Sequence, residues 1–207
     1  MTTWCTLLLA RVFASVVLLV IGVFVANRYW ARLNAGHILL WFGVRAISML
    51  VLVCALHQIP PDVTGWYTHA HWMIGQEAIP GLDFSSPYYL GFNALLAFSV
   101  SLYDSPISIV LCFMLFDLLA VFVWKAALKG LWNEKIANQT ILLYLTSPIF
   151  FNCSWLGAQD ETIALLVMGL FMLLLAKDKK GGTILLVASV VFSKILTVFY
   201  LVPTLPR

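Results

Sequence analysis

The chain has 207 residues, of which 62% are hydrophobic and only 10% charged, with a formal net charge of +3. Soluble domains carry roughly 25% charged residues, so the composition excludes an ordinary water-soluble domain and predicts an all-α integral membrane protein. The net charge gives no argument for nucleic acid, which is not expected as a partner, because the basic residues sit in short loops rather than in a patch or tail.

Met1–Asn27 lacks a basic leading region and a small-residue cleavage site, and its apolar run is long. It reads as a retained helix rather than a signal peptide. The predicted spans are Thr6–Ala26, Ile38–Leu56, Ile107–Trp124, Thr140–Trp155, Thr162–Ala176 and Thr183–Val202, the last ending at Pro203. That makes about six transmembrane helices in a single membrane domain over 1–207, with an outer loop at 58–106 that carries interfacial helices. Cys5, Cys54, Cys112 and Cys153 stand alone within or beside apolar runs. They read as packing residues, since no Cys/His ligand spacing exists.

Tyr88–Tyr103 is apolar enough for a seventh span, and the loop charges decide against it. If it stays on one side as a half-buried arm, Arg28, Arg32, Lys125, Lys129, Lys135, Lys177, Lys179 and Lys180 all fall on one face. The other face then holds Asp62, Glu77, Asp83, Asp104, Asp160 and Glu161, with no basic residue before Arg207. Such a bias separates cytoplasmic from outer loops. It predicts both termini outside, in a multi-pass protein of the plasma membrane or the endoplasmic reticulum.

The polar stretch Pro60–Gly91 is the candidate site, because a long polar loop between greasy helices is where chemistry concentrates. Asp62 follows two prolines that stop the preceding helix. It reads either as a cap for a short interfacial helix over Val63–Gly75 or as a reactive acid at the membrane boundary. His69 and His71, two apart, face different sides of that helix, which is poor geometry for one metal site. Glu77 and Asp83 flank the Pro80–Gly81 turn and most simply solubilise it. Asp160–Glu161 reads equally as a helix-start pair or as a second acid facing Asp62. Lys194, Arg45 and Asp117 lie within apolar runs, where ionisable groups are costly and so are functional candidates. Lys194 and Arg45 could hold an anionic phosphate or pair with Asp117. Arg11 reads as snorkelling to the outer interface.

In order and spacing these residues resemble the amino-terminal half of a GT-C type glycosyltransferase, most like its mannosyltransferase-type members. The first motif reads here as Asp62, Tyr67, Ala70, Gly75, Asp83 and Pro87–Tyr88. The second reads as Ser147–Pro148, Gly157, Asp160, Lys177–Lys180, Lys194 and Pro203. The resemblance covers nearly all of the chain from Asp62 on. It implies transfer of mannose or another hexose from a polyprenyl-phosphate donor to a glycan, lipid or protein acceptor on the non-cytoplasmic face. It also implies Asp62 as the catalytic carboxylate, a general base, with Asp160, Glu161, Lys194, Asp83 and Tyr88 about the substrate. No metal ligand is assigned, and a divalent cation is left open. Two helices precede the loop where the family usually has one, and the family usually runs to more than twice this length. The competing expectation is therefore a fragment, or a non-catalytic subunit working with a second membrane protein. A transporter, which needs acids along a path through the bilayer, ranks last.

Overall fold

The computed structural model describes residues 2–55, 59–86, 88, 90–148, 150–152 and 160–177. The fold is all-helical, 83% helix, with no strand among the described residues. Seven α-helices follow in order: α1 (Thr2–Tyr29), α2 (Ala35–Leu50), α3 (Pro61–Gly75), α4 (Leu90–Leu102), α5 (Pro106–Leu131), α6 (Glu134–Leu145) and α7 (Glu161–Ala176). A 3₁₀ turn (Trp30–Arg32) follows α1, and α2 runs on into a π turn (Val51–Ala55). Val12–Arg32 and Pro106–Leu131 are long and apolar enough to cross a membrane, with mean hydropathies of 2.0 and 2.6. The sixth predicted run, Thr183–Val202, lies outside the described residues.

Several helix ends differ from the predicted ones, and side-chain caps explain two of them. Asn34 accepts a hydrogen bond from the His37 N–H, so α2 opens at Ala35 rather than Ile38. Asn133 does the same for Ile136, so α6 opens at Glu134 rather than Thr140. Such caps satisfy backbone donors that have no partner within the helix. Helix α5 does not stop at Trp124 but continues to Leu131. Lys125 and Lys129 therefore lie on a helix, and the predicted basic turn shrinks to Trp132–Asn133. Helix α6 ends at Leu145, well short of Trp155.

Helix α5 is the central strut, and two buried clusters meet on it. Val63, Trp66 and Ala70 of α3, Phe92, Leu96 and Val100 of α4, and Ile109 and Phe113 of α5 form the first. Trp66 meets Tyr88, Phe92 and Phe113 edge-on, a geometry worth roughly 0.5–1.5 kcal/mol per aromatic pair beyond burial. Ile38, Phe42, Val121, Ile141, Leu145 and Phe150 form the core of the second. Helices α5 and α7 approach closely at Gly169, where an added Cβ would lie 2.9 Å from the Trp124 ring. The Trp124 indole N–H donates to the Leu165 carbonyl at 2.8 Å across the same crossing.

These contacts sort the molecule into two ends. At one end, the Lys125 ammonium donates to the Leu33 carbonyl, Asn138 to the Trp30 carbonyl, and Gly130 lies against Ala176. At the other end lie α3, the 76–86 loop, Asp104 and the start of α7. Both ends of α4 lie against α3, with Tyr88 packed on Trp66 and Asp104 bonded to Tyr67.

Between the ends, Arg45 of α2 and Asp117 of α5 form a fully buried ion pair at 2.5 Å. The Tyr144 hydroxyl donates to the second Asp117 oxygen at 2.7 Å. The guanidinium also lies 5.5 Å from the Phe42 ring centre and 5.1 Å from that of Phe150. The alternative in which Arg45 holds a phosphate is thereby corrected: its charge is committed to Asp117, inside packed aromatic rings.

Candidate functional site on helix α3

Pro60 occupies the cap position of α3 and Pro61 its first turn. A proline is tolerated there because the first N–H of a helix has no intrahelical partner. The expectation that Asp62 could be the cap is corrected, since the helix opens before it. Asp62 sits inside the first turn and is exposed, next to the positive end of the helix dipole.

The buried stripe of α3 is Val63, Trp66 and Ala70. At about 100° per residue, Asp62 and His69 flank one side of it, and Tyr67 and His71 the other. The two histidines thus face apart. His69 packs against Trp72 and Phe84, its Nδ1 is buried without a hydrogen-bond partner, and burial lowers its pKa. No group of three His, Cys, Asp or Glu among the described residues could hold a metal ion.

On the other flank, the Tyr67 hydroxyl donates to Asp104 Oδ1 at 2.6 Å, and His71 Nε2 lies 2.9 Å from the same oxygen. The Tyr67 bond, with a further contribution from His71, holds the Asp104 carboxyl below its ordinary range. The same bond pushes the Tyr67 phenol up. Sequence reasoning missed this trio, which joins residues 33 and 37 apart with no motif between them.

The other site residues divide by role. Asp83 is exposed and accepts the Ile79 N–H at 2.7 Å, closing the turn around Gly81. Glu77 adopts a left-handed backbone (φ 52°) just past α3, which ends the helix as a glycine often does. Tyr88 is half-buried, stacked on Phe92 with ring centres 4.3 Å apart. Its carbonyl accepts from Asn93, a buried residue that also bonds Ser86.

Asp160 stands at the cap position of α7 but makes no side-chain cap bond, and it is 5% exposed. Glu161 is exposed in the first turn. Ile163 packs on the cluster that holds Val63 and Trp66. The start of α7 therefore borders the core that also takes up the buried stripe of α3. Lys194, like Gly157, Lys179, Lys180 and Pro203, lies outside the described residues.

The sequence matches no family model, and no match is found among curated proteins or solved structures.

Proposed function

We propose that the chain is a multi-pass membrane protein of GT-C type that transfers a hexose from a polyprenyl-phosphate donor at its acidic end. The observation that carries this reading is the setting of Asp62: an exposed carboxylate in the first turn of α3, on an apolar helical body whose core the start of α7 also borders.

Lipid exposure is supported by α1, whose Leu9, Phe13, Val20 and Phe24 are 61–72% exposed. A soluble monomer rarely presents such a contiguous apolar face to water. The six-span reading draws support from α4. Both its ends rest on α3, Tyr88 against Trp66 and Asp104 bonded to Tyr67. The non-crossing arm keeps Arg28, Lys125, Lys129 and Lys135 on one side and Asp62, Glu77, Asp83, Asp104, Asp160 and Glu161 on the other. By the positive-inside bias the acidic end is non-cytoplasmic.

In the proposed chemistry an acceptor hydroxyl attacks the anomeric carbon of the sugar and Asp62 takes its proton as general base. The leaving lipid phosphate needs no general acid, so one carboxylate suffices. Asp160 orients the acceptor and Lys194 offsets charge on the departing phosphate. Asp62→Asn should abolish transfer from a panel of polyprenyl-phosphate sugars while the protein still inserts and runs as a single species on gel filtration. Undiminished transfer by that variant would remove Asp62 from the mechanism. A non-catalytic subunit would be indifferent to the same substitution in the assembled complex.

A further inference from the structure

Helices α1 and α2, joined at the basic end by Trp30–Asn34, do not pack closely on each other. Helix α1 seats on α6, and α2 on α5. Consecutive antiparallel helices with so short a connection usually pair. Here they splay, and a groove of about 660 Å³ opens between them, floored by α6. Its walls include Leu18, Trp41, Val44 and Leu142, and its polar mouth is Arg32 and His37. No acidic side chain lines it. From Leu18 to Arg32 the α1 wall rises about 21 Å, more than half of a hydrocarbon core of about 30 Å.

The charge around the mouth has one sign. Arg28 is exposed one turn before Arg32, and Lys135 lies over the Trp30 ring at 5.8 Å. The nearby acid, Glu134, is engaged by Lys129 at 3.0 Å. The Arg32 guanidinium is steadied over the Tyr29 ring at 5.4 Å.

We infer that this groove holds one anionic phospholipid of the leaflet at the basic end, an acyl chain between α1 and α2 and its phosphate at Arg32 and His37. The apolar walls match a hydrocarbon chain, and the one-signed mouth matches a negative headgroup rather than a zwitterionic one. The site lies at the opposite end from Asp62 and is independent of sugar transfer, so failure of the transferase reading leaves it standing.

The test is native mass spectrometry of the detergent-purified full chain after incubation with phosphatidylglycerol or phosphatidylcholine. The wild type should retain one phosphatidylglycerol in preference to phosphatidylcholine. Arg32→Gln, a change at an exposed side chain, should lower retention of the anionic lipid about fivefold, the worth of one cation near a lipid phosphate. Val44→Trp, which fills the groove, should lose both lipids. Equal retention of the two lipids, or retention untouched by Arg32→Gln and Val44→Trp, would overturn the inference. So would a cross-link in lipid-replete protein from a cysteine at Val44 to the 183–202 segment, which would seat the chain's own residues there.

Discussion

Asp117 holds two partners in a fully buried setting, so its removal isolates a cation among aromatic rings. Breaking one partner of a buried pair costs about 3–5 kcal/mol, whereas replacing both with apolar residues is often neutral. Asp117→Ala should therefore lower stability by roughly that amount in a thermal melt, and the double variant Arg45→Leu/Asp117→Leu should recover most of the loss. The pairing was partly legible: two ionisable residues inside apolar runs seek each other, and Asp117 was the acid within reach. The Tyr67–His71–Asp104 trio was not legible, because it depends on α4 bringing the chain back to α3. Its pH behaviour follows from the directions of its shifts. Asp104 is depressed, so its contribution is complete above the ordinary carboxylate value and lost as pH falls through the lower folded value. Tyr67 is raised, so its share is lost only as pH rises through its elevated value. Melting of the wild type and Asp104→Ala should differ at neutral pH and converge in acid.

Among the elements, α5 and α7 were the most readable, because long unbroken apolar runs leave no other choice of structure. The ends were read less well for one reason. Hydropathy follows lipid, whereas the helix of α5 continues through Lys125 and Lys129 as far as backbone bonding carries it. The caps at Asn34 and Asn133 are signals of the recognised kind, but they sit outside the apolar windows that locate spans. The α5–α7 crossing depends on a missing side chain. In the proposed membrane setting, with little hydrophobic drive between helices, small residues that allow close approach carry the packing. Gly169→Ala should push the Trp124 ring from its place and weaken its bond to the Leu165 carbonyl. We expect a loss of about 1–3 kcal/mol in a thermal melt and a shifted tryptophan emission.

For the molecule as a whole, the segregation of charge becomes a sided protein only if α4 does not cross. Ser101 near the end of α4 and Trp132 beyond α5 are both exposed. Cysteines placed at these positions should differ: a membrane-impermeant thiol reagent applied outside should label 101 and spare 132. Labelling of both from one side would break the six-span arrangement. The buried pair between α2 and α5 also has a consequence in time. Arg45 and Asp117 are 72 residues apart, and at about 5–20 residues per second of synthesis the arginine is made roughly 4–14 s before its counter-ion. On the proposed multi-pass reading, α2 carries throughout that interval a lone cation that lipid accepts only at a cost of about 2.5–3.5 kcal/mol. On that reading, completion of α5 is the event that lets α2 settle.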